Sequence, residues 1–234
     1  MIKGIIFDKD GTLFDFNATW GTWTRGMLEA ETGGDPALFA ALADALGYDS
    51  DRNRFRQSSM VIASTQAEVA DVILSVLPGL DRAELLNRMN AAAAEVEQVE
   101  AVPLRPYYEG LKSAGLKVGI ATNDSEGPAR RHLERAGVAH LFDFIAGYDS
   151  GFGAKPEAGQ LLGFCKAVAL TPDQCLMVGD STHDLHAGRL AGMRTVGVLT
   201  GPAPRAELAP HADVVLANIG EIPTWLASEN LTGL

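Results

Sequence analysis

The segment that decides the fold is Ile2-Lys3-Gly4-Ile5-Ile6-Phe7-Asp8-Lys9-Asp10-Gly11-Thr12, close to the beginning of the chain. Its apolar, β-branched first part predicts a short buried strand, and the polar residues after Phe7 predict a loop. Three later segments repeat this design of an apolar run followed by a polar turn: residues 116–121, 175–178 and 195–199. Residues 142–146 and 212–216 are weaker strand patterns.

Helical patterns alternate with these strands, at residues 107–114, 128–136, 157–168 and 184–191. Gly137 and Gly192 follow two of these segments, and a glycine at that place commonly ends a helix. Strands that alternate with helices of this length predict βαβ units in a mostly parallel sheet. The predicted fold class is therefore α/β, with a Rossmann-like parallel-sheet core.

The alternation stops between the first two strong strand segments. Residues 16–102 show no convincing strand, and they carry helical patterns at residues 19–32, 36–46, 64–77 and 82–99. Pro103 and Pro106 mark the exit from this region. We therefore expect an α/β core made of residues 1–16 and 103–234, with an α-helical domain inserted at residues 17–102.

Composition excludes several classes of partner. Hydrophobic residues make up 47% and charged residues 21% of the 234-residue chain, as in globular proteins with a sizeable core. The net charge of −11 disfavours nucleic acid and anionic membranes, because both require clustered Lys and Arg. No apolar run approaches the length of a membrane span, and the two cysteines match small buried residues in a reducing compartment. We expect a cytoplasmic enzyme.

Polar side chains follow the predicted strands where the strands end. In an open parallel sheet, ligands bind at the carboxyl ends of the strands, so these side chains should share one rim: Asp8, Asp10, Thr122, Asn123, Asp180, Asp184 and, from a nearby loop, Lys155. Clustered carboxylates repel one another unless a cation lies among them. Hard oxygen ligands without a His or Cys cluster favour Mg²⁺. The set therefore predicts a site for a phosphoryl group.

Four motifs in this order resemble those of the haloacid dehalogenase-like hydrolase superfamily. They are Asp8-Lys9-Asp10-Gly11-Thr12, Thr122-Asn123, Lys155-Pro156 and Gly179-Asp180-Ser181-Thr182-His183-Asp184. The resemblance covers residues 1–16 and 103–216. The inserted helical region falls where phosphoglycolate phosphatase-like members carry a helical cap. The resemblance thus implies a magnesium-dependent phosphatase that acts on a small phosphomonoester.

The resemblance also implies a role for each residue. Asp8 would attack phosphorus and form an aspartyl-phosphate. Asp10 would protonate the leaving oxygen and then activate water, and Lys155 would neutralise charge on the reacting groups. Thr12, Thr122 and Asn123 would bind the substrate. Mg²⁺ would be held by Asp8, the backbone carbonyl of Asp10, Asp180 and Asp184.

Some residues have structural interpretations that stay open at this point. Thr122 and Asp184 could cap helices, because both residue types accept hydrogen bonds at helix starts. Lys9 and Asp124 are expected to face the cap or solvent, and His183 is an exposed-loop or substrate-facing candidate. A group of aromatic residues has the spacing of core or cap-packing side chains: Trp20, Trp23, Phe39 and Phe55.

Alternative functions remain within the same superfamily. A sugar phosphomutase would use the same constellation and return the phosphoryl group to the substrate, and a catalytically idle regulatory member would be expected to lack Asp8 or Asp10. Dehalogenation is disfavoured because it needs no acid at Asp10. The sequence departs from phosphoglycolate phosphatases at Asp124, where a basic residue is usual, and at His183, where Asn is common.

Overall fold

The computed structural model describes residues 1–56, 58–62 and 64–229. The strands in chain order are β1 (Gly4–Phe7), β2 (Tyr48–Asp49), β3 (Arg54–Phe55), β4 (Lys117–Ala121), β5 (Phe144–Ala146), β6 (Cys175–Gly179), β7 (Arg194–Val198) and β8 (Val214–Leu216). Six of them form one parallel sheet in the order β5-β4-β1-β6-β7-β8. The predicted α/β fold with a Rossmann-like parallel sheet is confirmed.

Helices connect and cover these strands. They are α1 (Phe16–Glu31), α2 (Pro36–Ala45), α3 (Gln66–Val76), α4 (Arg82–Ala94), α5 (Leu104–Ser113), α6 (Glu126–Arg135), α7 (Gly159–Val168), α8 (Thr182–Ala191), α9 (Arg205–Leu208) and α10 (Ile222–Ser228). The helices predicted between the core strands are all present, with ends shifted by up to three residues. In the described part of the chain, no helix is long and apolar enough to cross a membrane.

The first strand sits at the centre of the sheet and is fully buried. It pairs with β4 on one side and with β6 on the other. Because successive side chains of a strand point to opposite faces, Ile5 and Phe7 join the hydrophobic cluster on one face and Ile6 joins the cluster on the other. Burial on both faces explains the continuous apolar run in the sequence.

The inserted region (residues 17–102) has a hydrophobic cluster of its own, in which Leu28, Leu42, Ile73 and Leu85 are fully buried. Its four helices begin after Asp15, Asp35, Thr65 and Asp81, whose side chains accept hydrogen bonds from backbone N–H groups of the first turn. Such N-caps each stabilise a helix by about 1 kcal/mol. Local sequence therefore sets where these helices start.

Two expectations for the inserted region were wrong. A short antiparallel hairpin pairs Tyr48 with Phe55, although no strand was expected there. Helix α4 ends at Ala94 instead of continuing to residue 99. In place of the last helical turns, the chain returns to the core in an extended segment. This segment lies beside the one by which the chain leaves the core. Asp15 N donates to Val99 O at 2.8 Å, and Ala101 N donates to Leu13 O at 2.8 Å.

The two cysteines match the prediction of small buried side chains. Cys165 and Cys175 are both buried and reduced, with their Sγ atoms 3.8 Å apart. Burial raises the pKa of both thiols, which keeps them protonated.

Candidate active site

Three parallel strands deliver the predicted polar side chains to one edge of the sheet. Asp8 directly follows β1, Thr122 follows β4 and Asp180 follows β6, and all three are buried. The central position of β1 between its two partners makes these strand ends neighbours. The structure thus brings the predicted residues together as the strand-end rule requires.

Asp8, Asp180 and Asp184 form a buried cluster of carboxylates. One oxygen from each lies within 4.8 Å of the others. Lys155 Nζ lies 2.5 Å from Asp8 Oδ1 and 2.6 Å from Asp184 Oδ1, so it pairs with two of the three. A single ammonium cannot neutralise three ionised carboxylates.

The electrostatics of this cluster are unfavourable without a further cation. Burial, together with the neighbouring Asp184 and Asp10, raises the pKa of Asp8 to about 7 in spite of Lys155. Burial and the Asp8 and Asp184 charges raise the pKa of Asp180 well above its usual range. The Asp184 and Asp8 carboxylates raise the pKa of Lys155 even though burial opposes that shift. A divalent cation would relieve the repulsion, so the residues fit a hard metal ion.

Two glycines make room for Asp180. Gly11 has a φ of 78°, a conformation that favours glycine, and a Cβ built there would overlap the Asp180 carboxylate. A Cβ built at Gly201 would overlap the same carboxylate. Thr12, beside Gly11, is fully buried, and its Oγ1 donates to Asp180 Oδ1 at 3.5 Å. The substrate-binding role of Thr12 remains a prediction.

Asp184 combines a structural contact with a place in the carboxylate cluster. Ser181 is the N-cap of α8, and Asp184 is its capping-box partner. Asp184 Oδ2 accepts from Ser181 N at 3.0 Å and from Ser181 Oγ at 2.7 Å, which leaves Oδ1 for Lys155. Asp184 is therefore not the N-cap of α8, which is Ser181; it supports that cap from the third helical position and also lies in the cluster. The N-cap of α6 is Ser125 and not Thr122.

Asn123 fixes the loop that carries Lys155. Its Oδ1 accepts from Lys155 N at 2.8 Å, and its Nδ2 donates to Lys155 O at 2.9 Å. Gln160, fully buried at the start of α7, donates to the carbonyl of Thr122 at 3.1 Å. These bonds join the end of β4 to the loop before α7 and hold Lys155 against the carboxylates.

Asp10 lies in a second buried group of charges. Lys9 Nζ lies 2.6 Å from Asp10 Oδ2, and Trp20 Nε1 donates to Asp10 Oδ1 at 2.9 Å. Both carboxylate oxygens therefore have a partner, one from the core and one from the inserted region. Lys9 Nζ also lies 5.6 Å from the centre of the Trp20 ring, within range of a cation–π contact.

Lys9 is fully buried and links Asp10 to Asp124 and His132. Its Nζ lies 3.5 Å from Asp124 Oδ2 and 3.1 Å from His132 Nδ1. His132 Nε2 donates to Ala93 O at 2.7 Å, so Nδ1 is the acceptor for Lys9. Burial and the Lys9 charge lower the pKa of His132 to about 4, and burial raises that of Asp124 to about 6. Lys9 faces the inserted region and not solvent.

An apolar cavity opens over the candidate nucleophile. Together with its open mouth it encloses about 640 Å³. Core residues Asp8, Asp10, Thr122, Asn123 and Asp124 line one end. Phe16 and side chains of the inserted region form most of the remaining wall, among the latter Trp20, Trp23, Phe55, Val69 and Met89. Three of the four aromatic residues predicted to pack, Trp20, Trp23 and Phe55, thus also shape this cavity, whereas Phe39 packs against the cluster of the inserted region.

Sequence interpretation missed several residues that hold the site in place. Gln66 at the start of α3 donates to Asp124 Oδ1 at 2.8 Å, and Thr200 Oγ1 donates to Gly11 O at 2.6 Å. No spacing signal marks Gln66 or His132, because Gln66 meets Asp124 and His132 meets Lys9 only through tertiary packing. Thr200 followed a predicted strand, and that position was the one available signal.

Comparison with known proteins agrees with this arrangement. A family model described as haloacid dehalogenase-like hydrolase matches residues 5–198. A phosphoglycolate phosphatase from Salmonella paratyphi A is 26% identical over 210 residues, which cover 86% of this chain and 82% of that protein.

Solved structures share the fold over nearly the whole chain. A hydrolase of the same family from Deinococcus radiodurans R1, with bound phosphate and sodium, has a TM-score of 0.69 at 22% identity and covers 99% of this chain and 98% of its own. A β-phosphoglucomutase from Clostridium difficile has a TM-score of 0.68 at 19% identity, covering 99% and 97%. At these identities the likeness is one of fold.

Proposed function

The chain belongs to the haloacid dehalogenase-like hydrolase family and is a phosphatase of that family, and we propose that it hydrolyses a small phosphomonoester in a Mg²⁺-dependent reaction through an aspartyl-phosphate on Asp8. The observation that carries this proposal is the buried set of Asp8, Asp180, Asp184 and Lys155 beneath an apolar cavity. An ammonium and clustered carboxylates suit a nucleophile that must meet an anionic phosphoryl group.

In the first half of the reaction, an Asp8 carboxylate oxygen attacks phosphorus and the bond from phosphorus to the leaving oxygen breaks. Asp10 gives its proton to that oxygen, so the product leaves as an alcohol. Lys155, 2.5 Å from Asp8 Oδ1, orients the nucleophile and neutralises part of the charge on the transferred group. Thr122 and Asn123 line the cavity beside Asp8, where they can hold phosphoryl oxygens.

In the second half, Asp10 is a carboxylate and takes a proton from water as that water attacks phosphorus. The bond between phosphorus and Asp8 breaks, releasing inorganic phosphate and the Asp8 carboxylate. In the structure both Asp10 oxygens have partners, Lys9 and Trp20. Asp10 must therefore exchange one of these contacts to reach the leaving oxygen.

The carboxylate cluster is the proposed metal site. Asp8, Asp180 and Asp184 would hold Mg²⁺, and the backbone carbonyl of Asp10 is a further candidate ligand. When bound, the ion supplies positive charge to the phosphoryl oxygens and to the three carboxylates. Oxygen donors without thiolate or imidazole in the cluster favour Mg²⁺ over zinc.

We also propose that residues 17–102 are a cap domain on a core of residues 1–16 and 103–234. Their separate hydrophobic cluster and the side-by-side backbone segments at their two ends support this division. The cap supplies the apolar wall of the cavity, so it would select the leaving group and control access of water to the aspartyl-phosphate.

The direct test is Mg²⁺-dependent release of inorganic phosphate from p-nitrophenyl phosphate and from a panel of phosphorylated metabolites. Release of phosphate supports hydrolysis. Isomerisation of a hexose phosphate without release of phosphate would favour the phosphomutase alternative. A β-phosphoglucomutase shares the fold of this chain. Failure to act on any phosphate ester would favour a regulatory member and would contradict the proposal.

Replacing Asp10 by Asn should slow the enzyme according to the leaving group. General acid help contributes about 10²–10⁴-fold and matters most when the leaving oxygen is strongly basic. We expect a large loss of kcat/KM for alkyl phosphates and a much smaller loss for p-nitrophenyl phosphate. Asp173→Asn, an exposed carboxylate away from the site, is the control. Equal losses for both esters would contradict the role of Asp10 as an acid.

Magnesium affinity should strengthen as the pH rises from 6 to 8. The pKa of Asp8 is raised to about 7 without metal, so below pH 7 the ion must displace a proton to bind. Affinity should then fall by up to about tenfold per pH unit for each proton that the ion displaces. Isothermal titration calorimetry of the free enzyme, in buffers of different ionisation enthalpy, measures both affinity and released protons. An affinity independent of pH over this range would contradict this account.

A further inference from the structure

Among the described residues that line the apolar cavity, none is a cationic side chain that could receive a second negative charge on the substrate. The charged ones among these residues are all carboxylates: Asp8, Asp10 and Asp124. Gln57 and Ala63, which lie outside the described residues, are neutral types. Beyond the reaction centre, the described wall of the cavity is therefore apolar, neutral or negative and carries no positive charge.

The two buried lysines beside the cavity's carboxylates already form ion pairs. Lys155 pairs with Asp8 and Asp184, and Lys9 pairs with Asp10 and Asp124. His183 lines an adjoining cleft on the side of Asp180 and Ser181, and it does not line the apolar cavity. A carboxylate or second phosphate on the leaving group would enter the cavity without a counter-charge and lose its hydration, which is costly.

The rest of the wall favours an apolar occupant. Trp20 and Trp23 meet edge to face with ring centroids 5.2 Å apart, and Phe16 and Phe55 meet at 5.5 Å. These rings, with Val69 and Met89, give the cavity an aromatic and aliphatic surface. Burial of apolar surface against such a wall stabilises a complex by about 25 cal/mol per Å².

The recognition groups that remain are neutral. Gln66 donates its Nε2 to Asp124, and its Oε1 is buried without a hydrogen-bond partner. Trp23 Nε1 is likewise buried without a partner. Both side chains line the cavity. They offer one acceptor and one donor, which suit a hydroxyl or amide group and not an anion.

We propose that the substrate is a phosphomonoester whose alcohol is uncharged and largely apolar or aromatic, and that 2-phosphoglycolate is a poor substrate. This inference rests on the proposed phosphatase function and specifies its leaving group. The substrate inferred here therefore differs from the phosphoglycolate named for the Salmonella relative. Asp124 lines the cavity as a third carboxylate and adds to its negative character.

The test compares phosphate esters of primary alcohols, so that the chemical step makes similar demands on the general acid. We measure kcat/KM of the Mg²⁺-loaded enzyme for 2-phenylethyl phosphate, D-glucose 6-phosphate and 2-phosphoglycolate. The expected order is as written, with at least about a 30-fold advantage of the first over the last. A value for 2-phosphoglycolate equal to or above that for 2-phenylethyl phosphate would overturn the inference while leaving the phosphatase function intact.

A variant that adds a cation to the cavity wall tests whether the missing positive charge sets the substrate preference. Val61 is half-buried and lines the cavity, so Val61→Lys should narrow the preference by at least about fivefold, by improving 2-phosphoglycolate and weakening 2-phenylethyl phosphate. Val72→Lys is the matched control, half-buried on α3 and outside the cavity, and it should keep the wild-type ratio.

The two proposals fail in different ways. Absence of Mg²⁺-dependent turnover of every ester, p-nitrophenyl phosphate included, would refute the phosphatase proposal, and the substrate inference with it. Turnover of p-nitrophenyl phosphate with a preference for 2-phosphoglycolate would refute the substrate inference alone. An unchanged substrate ratio in folded Val61→Lys, shown by circular dichroism, would also count against it.

Discussion

Replacing Asp8 by Asn is expected to abolish turnover and leave the fold intact. The amide cannot form the acyl-phosphate bond, and loss of a covalent nucleophile costs enzymes several orders of magnitude, here at least about 10⁴-fold in kcat. Asn keeps the shape of the side chain, and Lys155 keeps Asp184 as a partner 2.6 Å away. The measurement is steady-state phosphate release at saturating Mg²⁺.

Stability provides the control for this experiment. The ionised form of Asp8 is destabilised in the folded protein, because burial and its carboxylate neighbours raise its pKa to about 7. Near neutral pH and without Mg²⁺, the neutral amide should therefore leave the melting temperature unchanged or raise it. Asp173→Asn should keep full activity, because that carboxylate is exposed and remote from the cluster. Substantial activity in folded Asp8→Asn would refute the proposed nucleophile.

The strands and their catalytic ends could be predicted because their signal is local. An apolar run that ends in a polar turn requires no knowledge of the partner strand, and a parallel sheet brings its carboxyl ends together whatever its strand order. Asp8, Thr122 and Asp180 therefore lie at one edge, as expected from the sequence. Their catalytic roles remain proposals.

The features that sequence interpretation missed depend on tertiary contacts. The β2–β3 hairpin has strands of two residues, and its residues are held by packing as well as pairing, since Tyr48 OH donates to Gly21 O at 3.0 Å in α1. Helix α4 ends where Glu95 pairs with Arg131 and Arg135 of α6. No glycine or proline marks the end of α4, and Gly47 before β2 does not by itself indicate a two-residue strand, so propensity alone could not find these features.

Lys9 is the clearest case of such a missed contact. A lysine in a loop is usually solvated, yet this one is fully buried because Asp124 and His132 approach from the end of β4 and from α6. Those residues are more than a hundred positions away in the chain, so their approach is visible only in the folded structure. The burial of Lys9 leads to a strong prediction about stability.

Lys9→Met is expected to lower the free energy of unfolding by about 3–5 kcal/mol at pH 8.5, because it leaves buried carboxylates without their cation. Met has a similar length and no charge. Asp10 would keep Trp20, and Asp124 would keep Gln66, but neither of these neutral donors replaces an ammonium. Urea denaturation of the metal-free protein measures the loss.

Lys117→Met is the matched control for this variant. Lys117 also pairs with a carboxylate, Asp143 at 3.3 Å, and Asp143 keeps Lys112 when Lys117 is lost. The Lys117 side chain is 48% exposed, however, against 0% for Lys9. Exposed ion pairs contribute about 0–1 kcal/mol, so the control should change little. Equal losses in the two variants would show that burial of Lys9 is not the cause.

The loss of unfolding free energy in Lys9→Met should depend on pH. Burial raises the pKa of Asp124 to about 6 even with Lys9 beside it, and removal of Lys9 must raise it further. The folded variant then takes up a proton more readily than the unfolded chain, so its penalty is full above the folded pKa and shrinks as the pH falls below it. Denaturation at pH 5.5 should therefore show a smaller loss than at pH 8.5. A loss that grows on acidification would mean that Asp124 is not the carboxylate left unpaired.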